Sequence, residues 1–156
     1  MFEYIYLTFI NLIIYNLIEW SLHKLAHISK TGILYTSHKY HHIYFNSDNL
    51  EIEKYDNLAL HTDLYFGPPI LFIYIIYYFL LPYFYLFFFE SIIYMSSIYI
   101  LHMNYHLKNS PLEKYKWFRL RKQQHLQHHI KLNKNYMIGP YNTLDKLMLS
   151  YDYKKK

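Results

Sequence analysis

Long apolar runs alternate along this chain with basic stretches that carry histidine. Residues 4–18 are apolar or aromatic apart from Thr8, Asn11 and Asn16, and the pattern continues without Pro or Gly to Ile28. It predicts one helix over residues 3–28. At about 1.5 Å per residue, its first 18 residues cross a hydrocarbon core of roughly 30 Å only narrowly, which gives a membrane segment over residues 3–20. A cleaved signal peptide is disfavoured, because no basic residue precedes the run and no small-residue cleavage site follows it.

The second apolar block, residues 64–101, contains no Lys or Arg and a single acid, Glu90. Its length suits two membrane passes, residues 64–81 and 90–106, with the turn at Pro82 and the aromatic run 83–89. Glu90 is then expected at the far interface beside that turn, rather than as an acid inside the membrane. In the C-terminal stretch, Ser110, Pro111 and Glu113 form a helix-start signature and predict a helix over about 111–130.

Charge placement orients these segments. All 16 basic residues fall within 24–54 or 108–156. By the positive-inside rule both stretches face the cytoplasm, with the helical hairpin between them. The expected fold is therefore all-α: one integral membrane domain over residues 1–156, with three transmembrane helices and cytoplasmic segments at about 21–60 and 107–156. The formal charge of +5 adds little, since the basic residues flank membrane segments and no nucleic-acid motif accompanies them. No Gly-rich nucleotide loop and no serine triad is legible either.

Composition narrows the chemistry. Aromatics reach 22%, and 21 tyrosines depress the mean hydropathy to -0.10, which hides the membrane segments. With no cysteine, disulfides, zinc thiolates, Fe–S clusters and cysteine nucleophiles are excluded together, so any metal must sit on nitrogen or oxygen.

Ten of the eleven histidines form four boxes: His23 and His27; His38, His41 and His42; His102 and His106; His125, His128 and His129. Spacings of three and four put side chains on one helix face, so each box can aim its imidazoles at one point. A single H-x-x-x-H pair carries little information; four boxes at one membrane face are a different matter. Without metal, so many imidazoles would meet with burial opposing their charge. Ten ligands suit two ions with about five nitrogens each, a coordination that fits iron better than closed, four-coordinate structural zinc, although zinc can occupy such a site in purified protein. An imidazole-only pair of cations suits O2 activation. His61 has no box partner and is read as an interfacial or supporting residue.

At these boxes the sequence resembles the fatty acid hydroxylase and sterol desaturase superfamily, from about Glu19 to Tyr151. Glu19-Trp20-Ser21-Leu22-His23-Lys24-Leu25-Ala26-His27 resembles the first box, and Ser37-His38-Lys39-Tyr40-His41-His42 the second. The C-terminal third is most similar to the fatty acid 2-hydroxylase branch. It has His102-Met103-Asn104-Tyr105-His106, then His125-Leu126-Gln127-His128-His129 and Asn135-Tyr136-Met137-Ile138-Gly139, with Leu144-Asp145-Lys146-Leu147 replacing a Trp-Asp segment.

The resemblance implies a di-iron, O2-dependent oxidoreductase that hydroxylates an aliphatic C–H of a fatty acyl chain, free or sphingolipid-linked. It implies no catalytic residues beyond the metal ligands. Members often carry four membrane helices, and this chain is expected to have three. No cytochrome b5-like segment is present, so electrons are expected from a separate cytochrome b5 or similar donor. The expected setting is the endoplasmic reticulum or an equivalent membrane, with the metals at the cytoplasmic face. Two alternatives stay open: sterol C-methyl oxidation or desaturation within the same superfamily, and a metal-binding or transport membrane protein.

Overall fold

The computed structural model describes residues 2–55, 75 and 84–152. Among them there is no strand; five α-helices, α1 (Phe2–Ala26), α2 (Ile33–Tyr44), α3 (Phe84–Tyr105), α4 (Lys116–Ile130) and α5 (Thr143–Leu147), are joined by irregular chain and two short 3-10 turns, Ser29–Thr31 and Pro111–Lys114. Apart from Ile75, which is helical, the expected leg over 64–81 lies outside the described residues, as do the turn at Pro82 and His61.

Two helices are long and apolar enough to cross a membrane, over Glu3–Ala26 and Tyr85–Tyr105. Both turn apolar side chains outward, including Ile5, Phe9, Ile13, Ile93 and Ile100. Their polar residues are gathered where they meet. On α1, Thr8, Asn11, Tyr15, Glu19 and His23 recur every three or four residues and so form one stripe. Thr8 Oγ1 and Asn11 Nδ2 each donate to the Glu90 carboxylate of α3 at 2.5 Å. Tyr15 donates to the Phe87 carbonyl at 2.9 Å and lies 2.6 Å from Ser91 Oγ, while Tyr94 donates to Glu19 at 2.7 Å. Lipid tails are as apolar as leucine, so interhelical hydrogen bonds of this kind, with close packing, hold such helices together.

Three expectations on element boundaries are corrected. α1 ends at Ala26 rather than Ile28, because the Thr31 hydroxyl takes the Leu25 and Ile28 carbonyls at 3.0 and 2.7 Å. Gly32 follows at φ 63°, a left-handed conformation that glycine adopts without penalty, and the chain turns there into α2. α3 begins at Phe84, inside the run assigned to the turn, and Glu90 is an interhelical partner of Thr8 and Asn11 in its second turn. Finally, the Ser110/Glu113 capping box forms as expected but opens only a 3-10 turn. Arg119 Nη1 takes the carbonyls of Glu113 and Lys114 at 2.5 and 3.2 Å, Tyr115 is extended, and α4 starts afresh at Lys116.

The clasp between α1 and α3 gives a first prediction. Asn11→Ala should lower the unfolding free energy in a bilayer by about 1–2 kcal/mol, whereas lipid-facing Ile13→Ala should cost less than half of that, as measured by steric trapping.

Candidate metal centre

Four helix ends bring the ten box histidines together. His23 stands in the last turn of α1 and His27 just past it; His38, His41 and His42 come from α2; His102 is in the last turn of α3 and His106 just past it; His125, His128 and His129 come from α4. They form two groups of five, each able to hold a metal ion: His23, His27, His38, His42 and His128, and His41, His102, His106, His125 and His129. Within each group the ligand atoms lie within 4.8 Å of one another.

The grouping cuts across the boxes in a way that helix geometry explains. Residues four apart stay nearly in line, so His23 with His27 and His102 with His106 each serve one group. Neighbours in sequence diverge by about 100°, so each H-x-x-H-H triad divides. His42 joins His38 in the first group while His41 turns to the second; His128 goes to the first while His125 and His129 go to the second. The triads on α2 and α4 are thus shared between the two groups.

Distances within the first group match a coordination shell. The Nε2 atoms of His23, His38, His27 and His128 form a closed ring with sides of 3.1, 2.9, 3.1 and 3.0 Å, and His42 Nε2 adds a fifth contact, 2.9 Å from His38. With metal–nitrogen bonds of about 2.1 Å, ligands at right angles are about 3.0 Å apart and tetrahedral ligands about 3.4 Å. The observed edges therefore favour five or six positions over four. In the second group, His125 Nε2 lies 3.0 Å from His106 Nε2 and 3.2 Å from His129 Nε2, which is 3.2 Å from His41 Nε2.

Hydrogen bonding alone does not account for this convergence. His23 Nδ1–H donates to the Tyr136 carbonyl and His128 Nδ1–H to the Lys134 carbonyl at 2.6 Å. A carbonyl only accepts, so the single proton of each neutral ring sits on Nδ1. Both Nε2 atoms then present lone pairs to each other across 3.0 Å, a repulsive contact unless a cation lies between them. In the second group His106 and His129 are fixed in the same way by the carbonyls of Leu50 and Phe45, at 2.8 and 2.6 Å. Such carbonyl partners set the tautomer and orientation of metal-binding imidazoles.

Protonation is not the alternative. Burial pushes His27 down to about 4 and His128 down to about 3, with neighbouring imidazoles adding to the effect and the Lys134 carbonyl opposing it at His128. Burial, then neighbouring imidazoles, also holds His38, His42, His125 and His129 below the ordinary histidine range.

The supporting shell contains residues to which the boxes do not point. Residues 135–139 cross the end of α1 as irregular chain, yet their backbone is satisfied almost atom by atom. The Asp145 carboxylate accepts from Tyr136 N and Met137 N at 2.9 and 3.0 Å; Glu19 Oε1 accepts from Ile138 N and, at 3.1 Å, from Gly139 N. Arg121, itself buried, donates to the carbonyls of Gly139 and Met137 at 2.9 and 2.5 Å, and Tyr105 donates to Ile138 O at 2.8 Å. Asn135 begins the strap at φ 56°, held by Ser150 O at its amide and by Gln124 O and Asp152 O at its side chain. A Cβ on Gly139 would stand 3.1 Å from Ile98 Cδ1, so a larger residue there would make the end of that side chain on α3 shift by a few tenths of an ångström. Glu19 was legible in one respect: beyond Glu3 in the first turn it is the one acid of apolar α1, one turn before His23.

A second support holds His106. Leu50, which accepts its proton, adjoins the parallel bridge between Ile52 and Leu107. Buried Lys122 ties that corner together, donating to Leu107 O at 2.5 Å and pairing with Glu51 and Glu113 at 2.6 Å each.

Two predictions follow from this shell. Glu19→Ala leaves two amides without their acceptor and should cost about 1–3 kcal/mol per orphaned group, read as a lowered melting temperature in detergent. The second concerns pH. Folded pKa values below the unfolded value of about 6.5 mean that the unfolded chain takes up protons first. Stability is then fully present above pH 6.5 and is lost as pH falls toward the folded values of about 4 for His27 and 3 for His128. Melting temperature should therefore fall between pH 7.5 and pH 5; equal values at both would contradict neutral, buried imidazoles.

A family model described as fatty acid hydroxylase matches residues 8–150. Neither a curated protein nor a solved structure matches the chain. The match takes in both histidine groups, the membrane-length helices and the strap that orients His23. The family is one of membrane lipid oxidases, oxygen-dependent oxidoreductases of hydroxylase or desaturase type, and histidine groups that can hold metal suit it. On that match the chain belongs to the fatty acid hydroxylase family, within the fatty acid hydroxylase and sterol desaturase superfamily.

Proposed function

We propose that the protein hydroxylates an aliphatic C–H bond of a fatty acyl chain, free or sphingolipid-linked, at a dinuclear iron site. The observation that carries this reading is the pair of five-imidazole groups at the ends of two membrane-length helices, with lone pairs of His23 and His128 facing each other at 3.0 Å. His23, His27, His38, His42 and His128 would hold one ion, and His41, His102, His106, His125 and His129 the other. Bound iron would supply the activation of O2 and the oxidising power for the C–H bond.

The reaction balances as substrate, O2, two electrons and two protons giving alcohol and water, and the electrons come from a separate cytochrome b5 or similar donor. The chain's own part is positioning. Carbonyls of Tyr136, Lys134, Leu50 and Phe45 hold four imidazoles in the tautomer that leaves Nε2 unprotonated. Burial disfavours charge on His27, His38, His42, His125, His128 and His129 and would keep water away from the reacting carbon. His27 and His42 are only half-buried, which supports substrate approach from their side. The reading includes one domain with three membrane helices, both histidine groups facing the cytoplasm, in the endoplasmic reticulum or an equivalent membrane. The basic residues that flank the apolar runs support that orientation.

Lipid mass spectrometry of cells expressing wild type and His128→Ala tests the reaction. A hydroxylated acyl chain should appear with wild type and vanish with the variant. An unsaturated acyl chain or an oxidised sterol methyl group would assign one of the sister reactions instead, and identical lipid profiles would contradict an oxidase.

A further inference from the structure

The last residue of α5 and the turn that follows it expose three consecutive apolar side chains. Leu147, Met148 and Leu149 are 70%, 49% and 82% exposed. Leu149 stands at φ 55°, in the left-handed region that a branched residue enters at a cost of about 1 kcal/mol. The bulky side chain of Leu149 is thus held in a costly backbone conformation while burying almost none of its own surface.

The turn is nevertheless rigid. Met148 N donates to Leu144 O at 2.8 Å, Ser150 N and Tyr151 N both donate to Asp145 O, at 2.8 and 2.9 Å, and Lys134 Nζ donates to Leu149 O at 3.0 Å. Both flanks are fastened near Trp20: Leu144 packs against the cluster of Trp20, Tyr136 and Met137, and Trp20 Nε1 donates to Ser150 Oγ at 3.2 Å. Trp20 lies inside the apolar span Glu3–Ala26, near the end that carries the histidines. The exposed turn is thereby tied to the level at which α1 leaves the hydrocarbon. Cations stand near it: Lys24 lies over the Trp20 ring at 4.7 Å, Lys146 over the Tyr151 ring at 5.5 Å, and Lys134 at the turn itself.

An apolar tip rimmed by lysines at the end of a membrane span suits one partner, the boundary between headgroups and acyl chains of an anionic lipid leaflet. We propose that residues 147–149 are an interfacial anchor that dips into the leaflet bordering the histidine groups and fixes their depth relative to lipid acyl chains. The proposal rests on the chain being embedded through α1, and not on its metal content or its reaction.

The absence of cysteine makes the test direct, since one introduced thiol is unique. Leu149→Cys, Leu12→Cys and Ser47→Cys are each labelled with an environment-sensitive fluorophore. The labelled proteins are placed in vesicles of phosphatidylcholine and phosphatidylserine that carry nitroxide lipids. Ser47, exposed in a polar loop, is the aqueous reference, and Leu12 reports embedding of α1. At position 149, nitroxides near the headgroup should quench the label, and iodide should quench it about threefold less than at position 47. Leu147→Cys repeats the measurement should labelling at 149 disturb the turn.

Iodide quenching at 149 equal to that at 47 would overturn the anchor while leaving embedding intact. Shielding at 149 from both quenchers that fades on dilution with lipid would also overturn it, and would assign the surface to a second copy of the chain. Failure of deep nitroxides to quench position 12 would overturn the embedding and the anchor with it.

Discussion

Two imidazole lone pairs held 3.0 Å apart, on His23 and His128, are the constraint from which the architecture follows. Neither ring can relieve the contact by shifting its proton, because each Nδ1–H is committed to a backbone carbonyl, and burial holds His128 down to about 3. A cation between them would relieve the contact. The same logic extends around the ring of His23, His38, His27 and His128, where one nitrogen, His38 Nε2, meets three others at 2.9 to 3.1 Å and so cannot hydrogen-bond to them all. Convergence without carboxylates makes each group depend on neutral ligands, and neutrality in turn depends on burial.

Burial at a membrane end is hard to arrange with so short a chain, and the protein does it with irregular backbone rather than further long helices. Residues 135–139 close over His23, and their hydrogen-bonding groups are met by Glu19, Asp145, Arg121 and Tyr105. Unmet, those peptide groups would make the cover unstable; satisfied, they make it a rigid carrier for the Tyr136 carbonyl. Glu19 links this cover to the membrane span by also accepting from Tyr94 of α3. One polar stripe on α1 thus joins helix packing at Thr8 and Asn11 to strap binding at Glu19 and ligand orientation at His23.

Much of this was legible in the sequence because it depends on spacing. Intervals of three and four residues put each box on one helix face, and ten nitrogens divide naturally into two fives. The membership of each group was not legible, since it depends on how α2 and α4 are rotated about their axes, which spacing within one helix does not determine. The start of α3 was misplaced for a similar reason: an aromatic run beside a proline reads as a turn, yet Phe87, whose carbonyl accepts from Tyr15, lies in the first turn of α3. The predicted helix over 111–130 breaks at Tyr115 because Arg119 takes two carbonyls, a long-reach contact that no local pattern reports. Asp145 and Arg121 were invisible as site residues, since their partners are backbone atoms far along the chain.

The count of bound metal tests the account most directly. Wild-type protein purified without chelator should carry two metal ions per chain by inductively coupled plasma mass spectrometry, with fewer in His38→Ala, which removes the nitrogen shared by three contacts in the first group. Folded wild-type protein that binds no metal, or only one ion, under the same conditions would contradict it.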